Sequence, residues 1–166
     1  LQTSGIPLEP SEDSSLRAVE YDRCLAVMIT VETAGSLIPE GVLAVDMPPL
    51  KLIADNYAKG VSKKPGALTI HTDSEFALQH WDDAPETVGR EVVAAARDHL
   101  NLEPLSVQVH RWRDSRCVTP HPESHLSVDS PGLLVLAGDG FIGRDVEGAA
   151  LSGIEAATSL ASALTD

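Results

Sequence analysis

Gly138-Asp139-Gly140-Phe141-Ile142-Gly143 spells G-x-G-x-x-G between an apolar run, "LLVLA" from Leu133 to Ala137, and a helical pattern that starts at Val146. Glycines after a strand let a phosphate or a flat ring approach the backbone, and the N–H groups of a following helix favour a partly negative ligand. A dinucleotide turn also needs a second parallel strand and an acidic residue about 20 positions on. Only 23 residues follow Gly143, and the helix and a short tail use them, so the spelling fails as an N-terminal dinucleotide turn. The chemistry that survives is local. "LLVLA" reads as a strand buried in a parallel sheet, with Asp139 projecting at its carboxyl end, where open α/β sheets bind ligands. Asp145 is placed to cap the helix, whose apolar line runs Val146, Ala149, Ala150, Gly153, Ile154, Ala157, Leu160, Ala161 and Leu164. Gly148, Ala149, Ala150, Ser152 and Gly153 leave room either for a ring system or for tight packing on a sheet, and the residues do not choose between the two.

Other reactive side chains are less ordered in pattern. His121 and His125 in "HPESH" have the spacing of a helical metal pair, but Pro122 and the lack of a nearby third ligand favour a loop. Arg111, Arg113 and Arg116 surround Trp112; they suit either an anionic substrate group or, more simply, a solvated face. His110 reads as a partly buried structural histidine, and Trp81 as core or interface. No G-x-S-x-G elbow, P-loop or H-E-x-x-H occurs.

These residues need elements to position them. Residues 1–20 read as a polar, solvated entry segment. "RCLAVMITV", Arg23 to Val31, has apolar residues at both parities and predicts a central strand, and "GVLAVD" a short strand inside the loop from Gly35 to Pro49. "GALTIHTD", Gly66 to Asp73, predicts another strand, which "EFALQHW" continues or pairs with. In "DDAPETVGREVVAAARDHLN" Asp83 is placed to cap a helix, Pro85 to sit in its first turn and Glu86 to complete a capping box, with Val88, Val92, Ala95, Ala96 and His99 along one face. "PLSVQVHRW", Pro104 to Trp112, predicts a strand with one polar face, followed by a long polar loop holding three prolines between Pro120 and Pro131.

The whole chain, 166 residues with 43% hydrophobic and 22% charged residues, is expected to form one soluble globular unit. A formal net charge of -13 speaks against nucleic acid and anionic membranes as partners. No secretory signal or bilayer-length apolar run is present, and Cys24 and Cys117 match no metal spacing, which together predict a cytoplasmic protein with reduced thiols. The chain opens on Leu-Gln-Thr-Ser-Gly without methionine and is read as a processed or truncated piece.

"LAGDGFIGRDVEGAALSGIEAA" closely resembles the C-terminal flavin-contacting motif of FAD-dependent amine oxidases. "TIHTDSEF", "VHRWRDSR" and "AGDGF", in this order, resemble the second half of the renalase-like branch of that superfamily, over the chain from about Leu16 onward. The resemblance implies an α+β fold: a substrate domain over 21–130, with a mainly antiparallel sheet and a flanking helix, and over 131–166 the last strand and helix of a Rossmann-like FAD domain. It implies that Gly138, Asp139 and Gly140 meet the ribityl and phosphate region of FAD, and that Val146, Glu147, Gly148 and Ala149 lie near the pyrimidine end of the flavin. There the helix dipole would stabilise negative charge. His71 and Trp112 would line the pocket over the flavin face, as the catalytic pair. The activity implied is hydride transfer from a reduced nitrogen-containing small molecule, a misreduced dihydronicotinamide dinucleotide or else a simple amine, to FAD and then to oxygen, yielding hydrogen peroxide. Nothing before Gly138 matches the family's ADP-binding turn, so the expected partners include a missing N-terminal FAD-binding half. The alternative is a noncatalytic fragment or interaction module. In either case a bare apolar face, and with it self-association, is expected.

Overall fold

Leu25, Val27 and Ile29 alternate with Ala26, Met28 and Thr30, and the two sets turn to opposite faces of a sheet. The computed structural model describes residues 6–128, 132–143 and 145–165, with the backbone alone for Asp46. The fold is α+β: helix α1 (Pro10–Arg17), strands β1 (Glu20–Val31), β2 (Val42–Met47), β3 (Leu50–Asp55) and β4 (Ala67–Thr72), helices α2 (Ser74–Gln79) and α3 (Pro85–Ala96), strands β5 (Pro104–Thr119), β6 (Leu126–Val128) and β7 (Leu134–Leu136), and helix α4 (Val146–Ala163). It divides into two compact units, Arg23–Arg113 and Leu1–Asp22 with Asp114–Asp166. The expected division at 130/131 falls outside the described residues.

In the Arg23–Arg113 unit the five strands lie in the order β2-β3-β4-β1-β5, with β4 antiparallel to both β1 and β3. Val27 faces Ile70 and Ile29 faces Leu68 across the β1–β4 ladder, and Ile53 faces Ile70 from β3. Ala77 of α2 and Val88, Val92, Val93 and Ala96 of α3 complete the same core, so both helices cover this one face. Each fully buried Leu, Ile or Val contributes about 1.5–3 kcal/mol.

β1 is an interior strand, as its composition predicts, whereas β3, "LKLIAD", has no counterpart in the sequence reading. "EFALQHW" does not extend β4. Its first residues are α2, because the Asp73 carboxylate accepts the Phe76 N–H at 2.8 Å and starts a turn. At α3 the N-cap is Ala84, in extended conformation, with Pro85 at the first helical position; a residue before proline is pushed out of the α region. Asp83 is therefore one residue too early to cap, no capping box forms, and its carboxylate lies 2.8 Å from His80 Nδ1 instead. His99 lies beyond the helix and is exposed, and Gly89 and Val93 join the buried face. β5 runs on to Thr119 through what composition suggested was loop.

In the other unit the supposed entry segment contains α1, begun by Pro10 and by the Glu9 N–H donating to Glu12 Oε2 at 2.8 Å. Among the described residues "LLVLA" joins no parallel sheet. Its residues Leu134–Leu136 pair antiparallel with β6 in a two-stranded ribbon and are half-buried. Asp145 caps α4 as expected, accepting the Gly148 N–H at 2.8 Å. The apolar line faces outward, with Val146 87% and Ile154 63% exposed, and the buried stripe is Gly148, Ser152 and Ala156.

Smallness explains that choice. A Cβ on Gly143 would lie 2.2 Å from the Gly148 Cα, so loop and helix backbones touch there, and Ser152 Oγ accepts the Gly138 N–H at 3.0 Å while donating to the Ser124 carbonyl. Gly143→Ala is expected to cost about 1–3 kcal/mol in urea unfolding, since neither backbone can yield without moving α4; an unchanged midpoint would show the contact to be unimportant. Among the described residues no helix is long and apolar enough to cross a membrane.

Candidate functional site

The sheet of the Arg23–Arg113 unit has a second face that neither helix covers. Ala26 pairs with His71 and Met28 with Thr69 across β1 and β4, so these four side chains share that face with Thr30. The Thr30 and Ser106 hydroxyls lie 2.6 Å apart and bring β5 into register on the same side. From Ser106 the alternation carries Gln108, His110 and Trp112 onto it as well, and the edge-on contact of the His110 and Trp112 rings at 4.7 Å agrees. His71 and Trp112 therefore stand on one surface, with β1 between their strands.

Electrostatics distinguish the two. His71 is half-buried, and burial, then the nearby Lys59 charge, hold its pKa below the usual histidine value. It is thus a neutral ring near pH 7, able to accept at one nitrogen and donate at the other. Trp112 is 51% exposed and offers a broad apolar plane. His110 is exposed rather than partly buried, because α2 and α3 both pack on the opposite face.

In the other unit lies the glycine turn, and its space is unequally filled. At Gly140 a Cβ would lie 2.8 Å from the Tyr21 hydroxyl, and the space at Gly143 and Gly148 is filled by each other's backbone. Gly138 alone of the three G-x-G-x-x-G glycines is open, with nothing within 4 Å and a φ of 145°, a conformation that suits glycine. Asp139 beside it is exposed, and its Oδ1 accepts the Tyr21 hydroxyl at 3.0 Å. Burial, then this carboxylate, push the Tyr21 pKa up to about 12, so the hydroxyl remains a donor at any ordinary pH. At the start of α4 the Gly148 N–H is taken by Asp145, Val146 and Glu147 are exposed, and Ala149 is half-buried.

The remaining candidates have structural partners. Arg111 donates to the Trp81 and Asp83 carbonyls at 2.7 and 2.6 Å, and Arg116 pairs with Asp22 at 2.8 Å, so neither is merely solvated. His121 is buried, with its Nδ1 accepting the Glu123 N–H, and His125 Nδ1 lies 3.0 Å from the Ser124 hydroxyl. Among the described residues no group of three or more His, Cys, Asp or Glu is placed to hold a metal ion.

Met28, Thr69 and Tyr21 belong to these surfaces and were not singled out by sequence. For Met28 and Thr69 the signal was available: strict alternation in "LAVMIT" and "LTIHT" assigns each residue its face once the strands are paired. Tyr21 lies 118 positions from Asp139, and no local pattern joins them. No family model matches the chain.

Proposed function

We propose that this chain is the C-terminal portion of a flavin-dependent oxidoreductase of the renalase-like kind, and that the open face of its sheet receives a planar, reduced, nitrogen-containing substrate. A misreduced dihydronicotinamide dinucleotide is the first candidate and a simple amine the second. The observation that carries the reading is the pair His71 and Trp112 on the one sheet face that α2 and α3 leave uncovered. Trp112 and the edge-packed His110 would stack on a flat ring, and the neutral His71 would bond a polar edge without adding charge.

The residues at the glycine turn fit FAD in part. Gly138 leaves its backbone approachable, and Asp139 keeps a second carboxylate oxygen for a ribityl hydroxyl, while Gly140 and Gly148 have their space filled from within the chain. FAD, when bound, supplies the hydride acceptor and passes the electrons to oxygen. The protein's share is positioning: Tyr21 holds the Asp139 carboxylate, and α4 begins where its dipole favours negative charge, a tendency that Asp145 already partly satisfies.

A noncatalytic interaction module is the second reading, favoured by the apolar residues that α4 leaves exposed. Titrating FAD into the purified chain, followed by flavin fluorescence, separates the two. Saturable binding is expected, about tenfold weaker in Asp139→Ala and nearly unchanged in Tyr21→Phe, which removes only the supporting bond. Absence of binding, or binding indifferent to Asp139, would overturn the flavin reading for this chain.

A further inference from the structure

The open face of the sheet differs in charge from the chain as a whole. The chain has a formal net charge of -13, yet none of the strand residues placed on that face bears a carboxylate. Leu52 and Ala54 of β3 extend the face without one, since Leu52 faces His71 and Ala54 faces Thr69. A simple amine, cationic near pH 7, would find on these strands no carboxylate to offset its lost hydration.

A lysine stands beside the face instead. β3 ends in a turn in which the Asn56 N–H donates to the Ala67 carbonyl at 2.9 Å and the Lys59 N–H to the Asp55 carbonyl at 3.1 Å. The Asn56 side chain donates to the Thr69 hydroxyl at 3.0 Å, so this turn reaches onto the open face two residues from His71. The Lys59 stem rests on Gly41, where a Cβ would lie 3.0 Å from Lys59 Cγ, and a stem so packed loses less freedom when its ammonium is engaged. Among the described residues that ammonium makes no ion pair, and its charge reaches the His71 ring.

Two strand spacings, about 10 Å, separate His71 on β4 from the His110 and Trp112 rings on β5, and Lys59 lies on the β3 side of His71. A cation and a ring platform set apart in this way suit a ligand whose anionic group stands at a distance from its flat ring, as in a nucleotide. We propose, on the reading of this face as the substrate surface, that Lys59 is a specificity-determining residue: it draws the phosphate of a ligand whose ring lies over Trp112, and so selects phosphate-bearing substrates over cationic amines. A lysine does this as a point charge, without fixing the orientation of the phosphate.

Reduced nicotinamide mononucleotide and reduced nicotinamide riboside differ by the phosphate alone, and the emission of the dihydronicotinamide ring reports binding of either. Fluorescence titration should find the mononucleotide about five- to tenfold tighter at low salt, with the difference shrinking as salt is raised. Lys59→Gln should bring the mononucleotide down to the affinity of the riboside, Lys59→Arg should keep the difference, and Trp112→Ala should weaken both ligands alike. Equal affinities in the wild type, or a phosphate preference that survives Lys59→Gln, would overturn the role of Lys59 while leaving the stacking face in place. Binding of neither ligand, or binding indifferent to Trp112→Ala, would remove the substrate face itself and this role with it.

Discussion

Asp55→Ala is expected to destabilise the sheet unit by about 3–5 kcal/mol, roughly 10 °C or more in melting temperature. Asp55 closes β3 and is fully buried, and its carboxylate accepts five donors: the Ser36 hydroxyl and the Leu37 and Ile38 N–H groups on Oδ2, the Tyr57 and Ala58 N–H groups on Oδ1. Alanine would leave all five without an acceptor in a place water does not reach, and unmet buried donors cost more than met ones contribute. The same carboxylate makes stability depend on pH. Burial pushes its pKa up, but the donors, Ala58 and Leu37 foremost, outweigh burial and hold it below the ordinary aspartate value. A carboxyl whose pKa is lower folded than unfolded stabilises above the unfolded value, and that contribution is lost as pH falls through the folded one. Urea unfolding from about pH 5 downward should therefore show the wild type losing stability where Asp55→Asn, weaker throughout, loses less. Parallel pH profiles for the two proteins would contradict this account.

Gly66→Ala should be nearly as damaging, at about 3 kcal/mol or more, for a reason in the backbone alone. Gly66 has a φ of 83°, and an added Cβ would lie 2.1 Å from the Val31 carbonyl oxygen, at the position where the Val31 N–H donates to Gly66 O at 2.9 Å. Relief would require parting β1 from β4, the two strands whose pairing builds the core. Gly60 provides the control. Its φ is 73°, but nothing lies within 4 Å of its would-be Cβ, so Gly60→Ala is expected to cost only the backbone penalty of about 1–2 kcal/mol. Equal losses in the two variants, measured by urea midpoints, would mean that the clash at Val31 is absorbed.

What was legible in the sequence follows from how local each signal is. β1, β4 and α3 were readable because apolar periodicity is a short-range property, and the Asp145 cap because a cap lies within one turn of its helix. Errors came where a local sign had two meanings. Asp73 caps α2 with the same chemistry that was assigned to Asp83, and only the geometry imposed by Pro85 tells them apart. Periodicity gave the apolar line of α4 without saying what covers it, and the covered stripe is a different one, small enough for Gly148 to meet Gly143. For the candidate site, His71 and Trp112 were named by the family resemblance and only the strand pairing puts them on a single face, while the Tyr21–Asp139 bond joins segments 118 positions apart and leaves no trace in either.

One unit draws on both ends of the chain, Leu1–Asp22 and Asp114–Asp166, and the other lies wholly between them. During synthesis the middle unit is complete when Arg113 emerges, and its ladders and helices can close behind the ribosome. α1 and Tyr21 precede that unit and wait for Asp139 and the small face of α4, which follow it. Residues 6–22 are therefore exposed to proteases and chaperones while the middle unit and Asp139 are being made, and a stall anywhere between Arg113 and Asp139 would release a folded sheet with an unfinished companion.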